Sequence, residues 1–210
     1  MKGYRIKFIR HGITDANLGG YYIGKTDIPL CAKGVDEIYN KIAEYEYSTV
    51  QRVYSSPYKR CTQTASLLFP ENEAVMVDGL REMDFGDFEG KTAEELMKVP
   101  AYKQFLKGGL DNPPPGGESM REVVTRCFEA LNAIISDMMQ NGLTNCAVIT
   151  HGGIIMNMLS CFGIPKLPPM EFPCDFAEGY EVLVTASMWQ RSNCFEIMGK
   201  FPYSEEEKYE

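Results

Sequence analysis

Two histidines occur in the 210 residues, and both stand in one setting: "FIRHG" ends at Gly12 and "VITHGG" at Gly153, each an apolar run closed by histidine and then glycine. A strand that simply ends in polar residues would show the same pattern. A glycine after the histidine, however, lets a ligand approach the backbone at a strand end. Arg10 precedes the first histidine, and Thr14 and Asn17 follow it. In "YSSPYKRCTQTA" (54–65), Ser56 and Pro57 read as the cap and first turn of a helix, which puts Arg60 near the positive end of the helix dipole. A cation there adds nothing to helix stability, whereas a bound anion would explain it. "LREMDFGDFEG" (80–90) carries Glu82 in a loop, where a glutamate alone would be an ordinary solvated charge. At the second histidine, Gly152-Gly153 opens a helix whose unbonded N–H groups can face an anion.

Two histidines, two arginines and a glutamate leave a zinc site short of ligands, and no G-x-S-x-G elbow supports a serine triad. Phosphate fits better. Arginine forks bind phosphate oxygens in pairs, so Arg10 and Arg60 together could hold and neutralise a phosphoryl group. A neutral imidazole is a competent nucleophile toward phosphorus, and nearby cations disfavour its protonation. The other histidine would donate a hydrogen bond to the phosphoryl oxygens, and a carboxylic acid would protonate the leaving alkoxide. This chemistry calls for no metal ion and no cofactor.

These groups need a frame that gathers strand ends. Strand-like runs fall at 4–9, 52–55, 74–77, 145–150, 180–186 and 193–198, and helix-like stretches at about 32–46, 57–69, 92–106, 119–140 and 153–161. Alternating strands and helices predict an α/β sandwich around a mostly parallel sheet. The last two runs are joined by Met188 to Ser192 with no helix expected between them, which predicts one antiparallel edge strand. Residues 1–200 read as one domain, with a small helical excursion at about 92–117 around the glycine- and proline-rich loop 108–117. Ser119 and Glu122 form a capping box, a structural role that keeps Glu118 and Ser119 off the catalytic list. Residues 201–210 read as an acidic, solvated tail.

Composition bounds the remaining readings. Hydrophobic residues at 44% and charged residues at 24% are those of a globular chain. A net charge of −8 argues against nucleic acid as the main partner. The basic residues among 1–7 break any signal-peptide core, and no run approaches the roughly 20 apolar residues of a membrane-spanning helix. Seven scattered cysteines suggest reduced thiols packed as small hydrophobes. The expectation is a cytoplasmic protein with a small-molecule partner and no membrane contact; a sheet edge leaves room for a homodimer.

"RHGITDAN", "SSPYKRCTQTA", "EMDFGDFEG" and "THGG", in this order, resemble the motifs of the histidine phosphatase superfamily, the phosphoglycerate mutase-like proteins. The resemblance implies a three-layer α/β/α sandwich and a metal-independent phosphomonoester hydrolase of the histidine acid phosphatase type. It implies that His11 is the phosphorylated nucleophile and Glu82 the proton donor, then base toward water. Arg10, Asn17, Arg60 and His151 would bind the phosphoryl group, together with Gly152. Tyr22 and Lys25 are candidates for touching the leaving group, as are Asp15 and Tyr21.

The stretch around Glu82 lacks the "ERHYG" of many mutases, and residues 92–117 contain lysines but no arginine, so the chain looks more like the phosphatase branch. "GYYIGKTDIPLCAKG" is similar to the corresponding segment of α-ribazole phosphatases. Two alternatives stand beside this: a phosphoglycerate mutase, and a phosphate-binding module without turnover. The second has no use for the proton donor that Glu82 supplies.

Overall fold

Side chains alternate between faces along the first strand, β1 (Gly3–Arg10), sending Ile6 and Phe8 to one face of the sheet and Ile9 to the other, all fully buried. That period of two, with apolar residues on both faces, is what a strand between two helical layers requires. The structure, a computed structural model, describes residues 2–203. The remaining strands are β2 (Arg52–Ser55), β3 (Ala74–Met76), β4 (Asn145–Thr150), β5 (Gly163–Ile164), β6 (Gly179–Thr185) and β7 (Phe195–Phe201). They form one seven-stranded sheet in the order β3-β2-β4-β1-β6-β7-β5.

The helices are α1 (Asp15–Leu18), α2 (Ala32–Glu44), α3 (Lys59–Leu68), α4 (Ala93–Leu96), α5 (Pro100–Phe105), α6 (Met120–Asn141), α7 (Gly152–Phe162) and α8 (Ala186–Ser192). One face of the sheet is covered by α2 and α3 through Ile38, Cys61, Ala65 and Leu68. The other is covered by α6, α7 and α8 through Leu131, Ile135, Ile155, Leu159 and Trp189. The architecture is the expected α/β/α sandwich. None of the helices among the described residues is long and apolar enough to cross a membrane.

The expected antiparallel strand is present, but its place and connection differ from expectation. Only β6 runs against the rest, and it lies inside the sheet, paired with β1 on one side and β7 on the other. The segment between β6 and β7 is the helix α8, capped by Thr185 and closed by Asn193 in the left-handed region. The expected helix at 92–106 is two helices: Thr92 and Glu95 cap α4, and Pro100 stands at the first position of α5. Phe88, Leu96 and Tyr102 give this excursion a small core of its own.

The expected tail begins too early, because Phe201 closes β7 and is only 1% exposed, packed with Ala147 and Ile149. Its remainder, 204–210, lies outside the described residues.

Candidate active site

Parallel pairing decides which strand ends meet. Arg10 of β1 lies opposite Thr150 of β4, and Ser55 of β2 opposite Ile149. The next residue on each strand is therefore His11, His151 or Ser56, and the three stand side by side beyond the carboxyl edge. His11 N–H donates to the Thr150 carbonyl and Ser56 N–H to that of Ile149, both at 2.9 Å. The two imidazole rings are 5.2 Å apart between centroids, edge to face.

Hydrogen bonds fix both tautomers. His11 Nδ1 lies 2.6 Å from the Gly12 carbonyl, which can only accept, so Nδ1 carries the proton and Nε2 keeps its lone pair. Burial, and after it the positive charge of Arg60, pushes the His11 pKa down to about 3. At His151 the Arg60 Nε–H donates to Nδ1 at 3.3 Å, so the proton is on Nε2 and faces Ser56 Oγ at 2.9 Å. Burial, then His11 and the arginines, holds His151 well below its ordinary value. The Ser56 hydroxyl is thus a hydrogen-bond partner of His151 and not the expected helix cap, because α3 starts three residues later, after Tyr58.

The two arginines are held differently. Arg60, 2% exposed, also donates Nη1 to the Thr26 carbonyl and Nη2 to that of Gly24, each at 2.9 Å. Those carbonyls sit on a loop gathered by Glu89. Its Oε1 accepts from the N–H of Gly24 (2.7 Å) and Lys25 (3.0 Å), and its Oε2 from Thr26 Oγ1 (2.6 Å). Arg10 donates Nη1 to the Cys174 carbonyl at 2.7 Å and stacks its guanidinium on Phe176 at 3.8 Å. Its Nε is buried with no partner among the described residues. An unpaired, buried guanidinium N–H is costly unless an anion completes it.

Asn17 Oδ1 accepts from Thr14 N–H (3.0 Å) and Oγ1 (2.9 Å) in the capping box of α1, which leaves its Nδ2 to the cleft that Asn17 lines with Arg10.

Burial raises the Glu82 pKa, while the Met83 N–H on Oε1 and the surrounding arginines oppose the rise. Arg126 of α6 grips the main chain of this loop, donating to the carbonyls of Gly79 (2.9 Å), Arg81 (2.7 Å) and Glu82 (3.1 Å). It forks onto both oxygens of Glu118 at 2.9 Å, and Glu118 also accepts from Asp84 N–H at 2.9 Å.

A Cβ on Gly152 would lie 3.1 Å from Arg10 Nε, and one on Gly153 would lie 3.0 Å from Glu82 Oε1. The double glycine is therefore the floor on which the arginine and the carboxyl converge.

Sequence reasoning singled out Arg10, His11, Asn17, Arg60, Glu82, His151 and Gly152, and the structure brings them to this one edge. It missed Ser56 as a histidine partner, and it missed Glu89 and Arg126. No local signal pointed to the last two, whose partners lie far along the chain.

Of the leaving-group candidates, Tyr21 and Tyr22 line a cleft of about 410 Å³ that opens from Arg10. Lys25 does not line it; its Nζ pairs with Asp84 at 3.0 Å. Asp15 lies in the first turn of α1 and is also outside that lining. A second hollow of about 370 Å³, between the excursion and α7, contains none of the phosphate-site residues. Among the described residues no group of three or more His, Cys, Asp or Glu is placed to hold a metal ion.

The family model of the histidine phosphatase superfamily, branch 1, matches residues 6–192. The adenosylcobalamin/α-ribazole phosphatase of Escherichia coli is 27% identical over 176 residues, 81% of this chain and 85% of that protein. Phosphoglycerate mutase-like protein 4 of Arabidopsis thaliana is 32% identical over 161 residues, 73% of this chain and 68% of that one. Among solved structures, the α-ribazole phosphatase of Shigella flexneri superposes with a TM-score of 0.78 at 23% identity, covering 93% of this chain and 95% of that one. The phosphoglycerate mutase of Bacillus anthracis superposes with 0.76 at 20% identity, covering 94% and 92%. Phosphatases and mutases thus share the fold, and choosing between them falls to the site.

Proposed function

The chain belongs to the histidine phosphatase superfamily, branch 1, and is a phosphomonoester hydrolase, and on that premise we propose how its residues divide the work. The observation that carries the reading is His11: buried, neutral, with Nδ1–H spent on the Gly12 carbonyl and Nε2 free to attack, beside the unpaired Nε of Arg10.

The phosphoryl group sits between Arg10 and Arg60, with Asn17, the Gly152 backbone and His151 on its oxygens; to reach them the His151 N–H turns from Ser56 or shares it. His11 Nε2 forms the N–P bond as the bond from phosphorus to the leaving oxygen breaks. Glu82, whose pKa burial raises, gives its proton to that oxygen. The resulting carboxylate then takes a proton from water, whose oxygen attacks phosphorus. The N–P bond breaks, and inorganic phosphate leaves with His11 neutral again. No step is routed through a metal.

The substrate in this reading is a small phosphorylated metabolite, and the names of the Escherichia coli and Shigella flexneri relatives make α-ribazole phosphate the first to try. The cytoplasm is the proposed compartment, supported by seven unpaired cysteines, six of them buried, since reducing conditions keep thiols free.

The test is phosphate release in chelator by wild type and His11→Ala, on α-ribazole phosphate, sugar phosphates and 3-phosphoglycerate. Wild type turns over and the variant loses about 10³-fold or more. Equal activity of the two proteins would remove His11 from the mechanism. Isomer exchange of phosphoglycerate without phosphate release would select the mutase reading, and binding without any turnover the phosphate-binding module.

A further inference from the structure

We infer that the leaving group this site selects is uncharged and carries an aromatic or heteroaromatic ring. The inference rests on the hydrolase reading above and concerns the cleft beyond the phosphoryl group. That cleft, about 410 Å³, starts at Arg10 and Asn17 and is walled by the rings of Tyr21, Tyr22, Phe85 and Phe176; among the described residues Arg10 is the only charged one in its lining.

Contacts within the chain hold the walls in place. Tyr22 meets Phe85 edge to face at 5.1 Å, and its hydroxyl is taken by Tyr102 of α5 at 2.8 Å, so Tyr22 offers the cleft a ring and not a free hydroxyl. The main chain of Tyr22 is paired on both sides, N–H to the Lys91 carbonyl and carbonyl to the Gly90 N–H, each at 2.9 Å. Phe176 bridges the two parts of the site, because the same ring stacks on the Arg10 guanidinium. Its neighbour Ala177 is buried, donates N–H to the Arg10 carbonyl at 3.0 Å and accepts from the Tyr47 hydroxyl at 2.8 Å. Tyr21, 45% exposed, leaves its ring open to a ligand.

Charge points the same way. A leaving group with a carboxylate or a second phosphate would need a further cation in the lining, and among the described residues none lines it besides Arg10; Lys91, beside Tyr22, spends its Nζ on the Asp87 carbonyl. Lys25 pairs with Asp84, Arg81 with Asp78 and Arg126 with Glu118, and none of the three lines the cleft. A polyhydroxylated sugar would find Asn17 Nδ2 for one of its hydroxyls but would lose water from the others against four rings. A planar ring loses nothing polar and gains offset or edge contacts with each wall.

The test compares esters whose leaving alcohols have similar basicity, so that intrinsic reactivity cancels: 2-phenylethyl, 2-cyclohexylethyl and glycerol 3-phosphates, with 3-phosphoglycerate. Wild type should show kcat/KM about 30-fold higher for the phenylethyl ester than for glycerol phosphate or 3-phosphoglycerate, with the cyclohexyl ester between them. Tyr21→Ala should narrow that ratio by about 10-fold, and Tyr21→Phe, which keeps the ring, should restore it. Equal or better turnover of glycerol phosphate or 3-phosphoglycerate overturns the inference. So does a ratio that Tyr21→Ala leaves unchanged.

Should no ester release phosphate, it is the hydrolase reading that fails. The cleft is then judged by titrating 2-phenylethylphosphonate against 2-hydroxyethylphosphonate, and equal dissociation constants would end the proposal.

Discussion

The Nδ1–H of His11 is spent on the Gly12 carbonyl, and burial with Arg60 alongside holds the ring's pKa down to about 3 against an ordinary 6.5. The ring should therefore keep the nuclear magnetic resonance shifts of a neutral, Nδ1-protonated imidazole from about pH 7 to about pH 4; a titration centred near 6.5 would contradict the geometry. At Glu82 the expectation turns on the leaving group. Glu82→Gln removes the proton donor, so hydrolysis of an alkyl phosphate should fall by about 10²- to 10⁴-fold. A nitrophenyl ester, whose phenolate leaves without a proton, should fall far less, and equal losses on both esters would deny Glu82 that role. Both histidines and Arg10 could be read from the chain because each stands at the end of an apolar run beside a glycine, and Arg60 from its place in the first turn of a helix; Glu82, an ordinary loop carboxylate by itself, was marked by the resemblance of the motif around it. Ser56 was misread because Ser-Pro before a helix is an ordinary cap signal, and only the β2–β4 pairing reveals that its hydroxyl faces a histidine instead.

Elements carry these side chains, and the loop at 24–26 shows how far a positioning role can lie from the chemistry. Glu89 gathers that loop by its N–H groups, and the loop's carbonyls in turn hold both terminal nitrogens of Arg60. Glu89→Ala leaves those donors without their charged acceptor, so Arg60 should lose its fixed direction. The expected result is a drop in kcat/KM of about 10- to 100-fold and weaker inhibition by inorganic phosphate, with Glu89→Gln keeping most of both. An inhibition constant unmoved by Glu89→Ala would confine Glu89 to a structural role. Such a linkage joins residues distant in sequence and leaves no periodicity to read. Long elements were legible: α6 begins with the Ser119–Glu122 box and ends at Gly142, whose φ of 69° suits a glycine. The seven-residue α8 was not, because two turns are too short to establish a 3.6-residue repeat, although Thr185 already stood at its cap. In the excursion, a continuous helical pattern hid the break that Pro100 imposes.

For the whole molecule, the sandwich takes two histidines from distant parts of the chain, sets them on the neighbouring parallel strand ends of β1 and β4, and buries both. That burial couples the site to the stability of the fold. The folded pKa of His11 is depressed, so its contribution is fully present above the unfolded value of 6.5 and is lost as pH falls from there toward about 3, because the unfolded chain takes up a proton that the folded site refuses. His151 acts in the same direction. Glu82 acts in the opposite one: its raised pKa favours the fold in acid and withdraws that favour as pH rises above its ordinary 4.5. As pH falls toward 4.5 Glu82 therefore offsets part of what the histidines lose, while His11 by itself should cost about 2 to 3 kcal/mol at about pH 4.5 relative to neutral pH. Urea unfolding at about pH 7 and about pH 4.5 measures this directly. His11→Asn, which cannot take the proton, should flatten the acid loss by that amount even if it is less stable at neutral pH. Equal acid losses in the two proteins would mean that His11 titrates in the fold as it does in the open chain, and the neutral nucleophile on which the mechanism depends would go with it.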